Sequence, residues 1–430
     1  MSPPPATKPA QLQCGVGLVS FVVNTRAVTP TPTLVLLRNA DVFAPAPLGR
    51  RDLLLAGGRI AAISKPGAAL DPLPAALGVE EHDCAGQALI PGLIDAHVHV
   101  SGGGGEGGFT SRVPPLTFSE ISSAGVTSVI GVLGTDGTTR TMRELVARTY
   151  ALREEGISAW CWTGNYELPV VTLTGSVRDD IVFVDPIIGV GELAISDHRS
   201  SQPTFTEFLR VASDVHVAGM LGGKAGVLHL HLGDGPRGLE LVRRALSESE
   251  LPARVFHPTH VNRNRALFTE AQALVREFAK RAPSIDLTAF PADDVGDGLS
   301  AADAIARWKG AGMPLAQLTC SSDGGGCMPH FNAQGELAHY GVGQSSTLRA
   351  TIRDAINIHG LTLAELLPLF TSNVARLLRL RGKGELALGA DADLCLLDDD
   401  YGFDAVIARG RWLVRHSQPV VRGPFERPSA

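Results

Sequence analysis

The chain has 430 residues, 44% of them hydrophobic, 5% aromatic and 19% charged, with 48 Gly and 28 Pro. That composition belongs to a folded globular protein and excludes collagen, coiled coil and wholesale disorder; the length allows one large domain plus a smaller one, or two to three ordinary ones. Lys and Arg number 38 against 44 Asp and Glu, a formal net charge of −6, so no basic surplus exists to neutralise a phosphate backbone and nucleic acid is not an expected partner.

Residues 1–32 open on the Pro-rich stretch Met1–Ala10 and read as a flexible tail. Within them Cys14–Val23 is apolar but short, and it lacks the compact basic start and cleavage site of a signal peptide. No uninterrupted apolar run reaches the ~20 residues of a membrane helix. The six Cys (Cys14, Cys84, Cys161, Cys320, Cys327, Cys395) are widely spaced with no CxxC, which fits a reducing compartment rather than a disulfide framework. A cytoplasmic protein without membrane association is the expectation.

Residues 33–90 are short and β-like. Thr33–Arg38 alternates, Ala40–Phe43 continues it, and Asp52–Ile63 holds two runs around Gly57-Gly58, a hairpin signal. Residues 381–430 have the same character in Ala392–Leu397, Phe403–Ala408 and Gly410–Val414. Two β-rich ends around a long middle predict one small domain built from both termini. The middle, residues 91–380, holds eight strand-like runs: Leu93–Val100, Val126–Leu133, Ser158–Gly164, Ile187–Ile195, Gly226–Leu232, Arg254–Val261, Ile285–Ala289 and Leu315–Ser321. Helical patterns lie between them at Met142–Glu155, Thr204–Ala218, Gly238–Glu248, Leu267–Ala282 and Ala301–Gly310. Alternating β and α predicts a parallel sheet covered by helices. Eight repeats fit a (β/α)8 barrel better than the alternative, a doubly wound open sheet.

His97-Val98-His99 ends the first run. Residues two apart on a strand face the same way, so both imidazoles point to one side, at the strand end where barrel active sites sit. Two neutral imidazoles so placed can chelate a metal ion. Other ligand types recur at later strand ends: Glu192 on the fourth run, His229 and His231 on the fifth, His257 and His260 on the sixth, Asp323 after the eighth. A single His at a strand end is as readily a satisfied core residue as a ligand. Such residues on separate strands converge on one point only in a barrel.

These features resemble the amidohydrolase superfamily and, within it, the isoaspartyl (β-aspartyl) dipeptidases. The closer likeness lies in Gly102–Glu106, Gly134-Thr135-Asp136, Glu154–Trp160, Thr174–Val177, Ala194–Ser200, Pro258–Asn264 and Ser321–Gly324, and extends from about Leu34 to about Glu426. It implies a TIM barrel with a small β-sandwich domain formed by both chain ends. It also implies a binuclear zinc site, with His97, His99 and Asp323 on one ion, His231 and His260 on the other, and a bridging hydroxide as nucleophile. Asp323 would act as general base and then general acid. Tyr166 would donate to the developing oxyanion. Glu106 would bind the substrate's α-ammonium, Arg199 and Arg263 would grip carboxylate, and Gly104 and Thr135 would supply polar contacts. A small peptide substrate and a homo-oligomer, as large as an octamer, are implied too.

Two departures stand out. The family usually bridges its metals with a carboxylated Lys on the fourth strand, whereas this chain offers Glu192 in a segment one residue longer than usual. Glu192 is three atoms shorter than a lysine carbamate, so a bulge is expected to carry it inward, and metal assembly should then not need carbon dioxide. Cys327 stands where the family usually has a Ser touching substrate; it donates weakly and leaves substrate preference open, with a thiolate ligand as the alternative. Cys320 is expected to be buried and inert. Two other functions share parts of this pattern: a cyclic-amide hydrolase of the dihydroorotase or hydantoinase kind, and a non-catalytic scaffold of the same fold.

Overall fold

The computed structural model describes residues 34–67, 78–290, 296–331 and 337–427. The Pro-rich tail, the apolar stretch Cys14–Val23 and Thr33 lie outside the described residues.

Eight strands make the central barrel: β1 (Leu93–Val98), β2 (Val126–Gly131), β3 (Ser158–Thr163), β4 (Ile187–Ser196), β5 (Val227–Leu232), β6 (Phe256–Thr259), β7 (Ile285–Thr288) and β8 (Leu318–Ser321). The first six form one sheet in chain order, every neighbour parallel. The last two pair parallel with each other. Two joints complete the ring. Val261 N donates to the Asp286 carbonyl at 3.4 Å across the β6–β7 seam. Val98 bridges Gly324, and His99 N donates to the Gly324 carbonyl at 2.7 Å, across the β8–β1 seam. A doubly wound sheet has no such return to its first strand. Except for Ser158 and Trp160 on β3, every barrel-strand residue is buried, which is why these strands read as continuous apolar runs rather than as alternation.

The five expected helices are present as Met142–Glu155, Phe205–Leu221, Glu240–Glu248, Arg265–Glu277 and Ala301–Gly310. Thr204 is not helical but the cap, accepting from Glu207 N while Glu207 reaches back. Asn264 caps the Arg265–Glu277 helix, accepting from Leu267 N. Five further helices have no counterpart in the sequence expectations: Phe118–Ser123, Val177–Phe183, Thr347–Asn357, Leu363–Phe370 and Ser372–Leu377. No helix among the described residues is long and apolar enough to cross a membrane.

The chain ends build a nine-stranded sheet of their own. Its path runs Gln418–Pro419, Arg411–Arg415, Phe403–Ala408, Leu394–Leu397, Ala88–Pro91, Leu34–Phe43, Pro47–Ala56 and Arg59–Ser64, with Glu80–Asp83 also paired to Leu34–Phe43. Ala56 pairs with Arg59, leaving Gly57 and Gly58 as a two-residue turn with φ of 57° and 78°; positive φ at both positions is what a type I′ hairpin requires. The sheet wraps one apolar core: Ile60 from one end and Trp412 from near the other share a cluster with Leu37, Leu53, Leu89 and Leu396. Ile60 N donates to the Ala390 carbonyl at 2.9 Å, tying the hairpin to the segment ahead of Leu394–Leu397. Among the described residues all cysteines are free thiols.

Candidate functional site

The candidate residues meet at the C-terminal end of the barrel. His97 lies next to the end of β1 and is fully buried, and His99 follows the strand at 5% exposure. Asp95 ties this strand end to the loop after β8: its carboxylate accepts from His97 N at 3.3 Å and Ser322 N at 3.1 Å. His260 and Asp323, each just past its strand, hold φ of 61° and 54°. Such left-handed backbone in non-glycine residues concentrates at functional sites.

Glu192 sits at the centre. Between the pairs Val190–Leu228 and Leu193–Leu230, β4 spends one residue more than β5. Against β3, where Ile187 faces Cys161 and Val190 faces Thr163, it does so again. The expected bulge is therefore present, and it places the Glu192 side chain inside the barrel at 1% exposure. Its two oxygens face different partners. Oε1 lies 3.4 Å from His97 Nε2 and 3.5 Å from His99 Nε2. Oε2 lies 2.9 Å from His231 Nδ1 and 3.4 Å from His260 Nε2. Asp323 Oδ1 joins the first group, 3.1 Å from His99 Nε2 and 3.4 Å from His97 Nε2.

These donors suit a metal. His97, His99 and Asp323 have ligand atoms within 4.8 Å of one another, and so do His97, Glu192 and His260. His97 Nε2 and Asp323 Oδ1 are buried without a hydrogen-bond partner among the described residues, a cost that a cation between them removes. The charges agree. Burial pushes the Glu192 carboxyl up, but His97 and His231 outweigh it and hold it well below the carboxylate range. Burial likewise opposes ionisation of Asp323, yet His99 and His97 bring it down to about 2. Burial presses on His97 as well, but Glu192 and Asp323 raise it to about 9. Two ionised carboxylates in a dry cup of imidazoles attract positive charge.

The expected substrate-side residues surround this cup. Tyr166, on the loop after β3, is buried with Oη 2.9 Å from His231 Nδ1. Burial, then Glu192, raise its pKa well above 10, so the phenol keeps its proton and can donate it. Glu106 accepts from Thr135 Oγ1 at 3.0 Å and Arg199 Nη1 at 3.1 Å. Gly104, at φ 73°, has no room for a side chain, because a Cβ would lie 2.5 Å from the Ser111 carbonyl and 3.2 Å from Cys327 Cβ. Cys327 is half-buried beside it, its thiol pushed up to about 11 by burial and then Glu106. Its sulfur is not among the ligand atoms that gather in the two His, Glu and Asp groups of the described residues, so nothing in the geometry supports the thiolate-ligand alternative. Cys320 is buried in β8, its pKa raised well above the ordinary value by burial and then Asp286.

The two arginines differ. Arg199 forks onto Asp197, Nε to Oδ1 at 2.9 Å and Nη2 to Oδ2 at 2.7 Å, while also holding Glu106. Arg263 is engaged farther out by Asp234, at 3.2 and 3.1 Å, and by the Leu232 carbonyl at 3.1 Å. Sequence reasoning passed over three residues that the structure brings into the site. Asp197 Oδ2 accepts from His231 Nε2 at 3.0 Å and so turns Nδ1 of that ring toward Glu192; it lay inside the Ala194–Ser200 block without being singled out. Buried Arg140 reaches the carbonyls of Ser101, Gly103 and Val113, pinning the glycine-rich loop that carries Glu106. Asp95, one turn of the strand pleat before His97, was visible in the same run of residues.

An eight-stranded α/β barrel with a chain-end sheet and His, Glu and Asp ligands converging at its strand ends defines a metal-dependent amidohydrolase. No protein-family profile matches the sequence. The β-aspartyl dipeptidase of Fervidobacterium islandicum AW-1, solved in complex with the β-Asp-Leu dipeptide, is 41% identical. The match covers 90% of this chain and 98% of that one with a TM-score of 0.83. This chain belongs to the β-aspartyl dipeptidase family. A dihydroorotase from Lactiplantibacillus plantarum is 24% identical over 90% of this chain and 94% of its own length. The match to a dihydroorotase from Desulforapulum autotrophicum, 35% identical, spans only 23% of this chain and 26% of that protein.

Proposed function

We infer that this chain hydrolyses the isopeptide bond of β-aspartyl dipeptides as a zinc enzyme, with Glu192 standing where the family has a carboxylated Lys as the residue that would hold two ions together. The observation that carries this reading is Glu106, held by Arg199 and Thr135 beside the His, Glu and Asp cup. A dipeptide brings an ammonium and a carboxylate, and the cluster offers one partner for each. The related Fervidobacterium enzyme, solved with β-Asp-Leu, supports the same substrate class.

Zinc, when bound, acidifies a water as nucleophile and polarises the scissile carbonyl. The chain's own residues do the rest. His97, His99 and Asp323 would hold one ion, His231 and His260 the other. The Asp323 carboxylate accepts the proton released by the nucleophile and passes it to the leaving amine. Tyr166 Oη donates to the carbonyl oxygen as charge develops there. Glu106 pairs with the α-ammonium, Arg199 and Arg263 with carboxylate, and Cys327 with Gly104 shapes the remaining wall.

Purified, zinc-loaded protein should hydrolyse isoAsp-Leu and leave Asp-Leu intact. Equal rates, or no hydrolysis of either, would overturn the assignment. The exposed apolar side chains Phe183, Met220 and Leu221 support assembly into a homo-oligomer, read by size-exclusion chromatography with light scattering. A cytoplasmic location remains part of the proposal.

A further inference from the structure

Beneath the cup, a line of hydrogen bonds crosses the buried interior of the barrel. His97 Nδ1 lies 2.8 Å from His229 Nε2, and His229 Nδ1 lies 2.9 Å from His257 Nδ1. His257 Nε2 lies 2.9 Å from Thr319 Oγ1, and Thr319 donates to Asp286 Oδ1 at 2.5 Å. The line thus touches β1, β5, β6, β8 and β7 in turn. His97, His229, His257 and Asp286 have no exposed surface and Thr319 has 1%. Trp162 stacks on His229 at 5.2 Å and 11°, its indole N–H fixed on the Ala96 carbonyl at 3.2 Å.

Proton bookkeeping gives the line one direction. Asp286 receives three hydroxyls, from Thr319, Thr259 and Ser321, and a carboxylate only accepts. Thr319 has a single proton and gives it to Asp286, so it can only accept from His257 Nε2–H. His257 Nδ1 is then bare and accepts from His229 Nδ1–H. His229 Nε2 is bare in turn and accepts from His97 Nδ1–H. The nitrogen of His97 that this line leaves for a metal is Nε2, the atom facing Glu192 and Asp323. Every group in the line is satisfied with His229 and His257 neutral and with a cation taking the place of the proton on His97 Nε2. The opposite direction would aim Thr319's lone pairs at a carboxylate oxygen.

We propose that His229, His257, Thr319 and Asp286 are positioning residues which lock His97 in the tautomer that presents a bare Nε2 to the metal. They also strengthen that nitrogen as a ligand, because a hydrogen-bond acceptor behind an imidazole raises its basicity. This inference rests on the reading that His97 is a metal ligand. A packing role alone would need neither the matched nitrogens nor the anionic terminus.

The test measures zinc affinity by chelator competition on the full chain, beside the melting temperature of the metal-stripped protein. Thr319→Val keeps the shape and removes the acceptor; it should weaken zinc binding about tenfold or more. Thr319→Ser should restore it. Asp286→Asn, whose amide can donate to Thr319 and reverse its hydroxyl, should weaken zinc in the same direction and serves where the valine variant does not fold. Wild-type zinc affinity in Thr319→Val or Asp286→Asn, with only the metal-free melting temperature lowered, would overturn the relay. A wild-type chain that takes up no zinc would instead overturn the metal-centre reading beneath it.

Discussion

Glu192 reaches two histidine pairs because the backbone comes to meet them. A lysine carbamate spans the gap with a long side chain, whereas here the extra residue in β4 brings a short carboxylate inward with one oxygen toward each pair. A carboxylate made by translation needs no carbon dioxide. Metal-stripped protein should therefore regain its full zinc content in bicarbonate-free buffer, elemental analysis giving the same value with and without added bicarbonate. A bicarbonate requirement would exclude Glu192 as the bridge. Glu192→Gln, which removes the charge but little volume, should lower zinc affinity by at least about 100-fold, more than the loss of an outer partner costs. The paired histidines were legible because a strand repeats every two residues: His97 with His99 and His229 with His231 each share a face. What the spacing could not rank is height in the barrel. His231 and His260 rise to the cup, while His229 and His257 lie one layer down among Thr319 and Asp286, and depth follows from how far each strand is pushed along its neighbours.

At the level of elements, apolar period and end signals carried the strands and the longer helices. The Met142–Glu155 and Ala301–Gly310 helices fall on their expected bounds. Short helices such as Phe118–Ser123 and Leu363–Phe370 have too few turns to show a period. Their capping boxes, Thr117 with Glu120 and Thr362 with Glu365, were the signal that could have found them. The second of these can be tested by pH. Lys309, then the Thr362 backbone, hold the Glu365 carboxyl down to about 2. A folded-state pKa below the unfolded value contributes stability above about pH 4.5, and that contribution fades as pH falls toward 2. Glu365 is solvent-facing, so the contribution is small, about 1 kcal/mol or less. Glu365→Gln should melt at a lower temperature than the wild type at pH 7, and the gap should shrink between pH 5 and pH 3. A gap that stays constant across that range would show the cap acting through shape rather than charge.

Across the whole molecule, the two β-rich ends announced a shared domain, but nothing local announced how that domain is fastened to the barrel. One fastening is a buried cation. Lys383 Nζ reaches Asp393 Oδ2 at 2.5 Å, Asp391 Oδ2 at 2.8 Å and Ser158 Oγ at 2.7 Å. Asp393 immediately precedes Leu394–Leu397 in the chain-end sheet and Ser158 opens β3, so a single ammonium joins both parts. The side chains of Lys383 and Asp393 are 4% and 5% exposed. Burial raises the Asp393 carboxyl despite the pull of Lys383, which marks the site as one where an unpaired charge is costly. Lys383→Met leaves that carboxylate buried without its cation and should cost about 3–5 kcal/mol, the usual loss when one partner of a buried pair is removed. Asp393 also accepts from Arg409 N at 2.7 Å, a bond that Asn can still accept. Adding Asp393→Asn to Lys383→Met should therefore recover part of the loss, although each change alone destabilises. Thermal melting of the two single variants and the double variant measures the coupling. A double variant as unstable as the sum of the singles would mean that Lys383 packs between the two parts without pairing to Asp393.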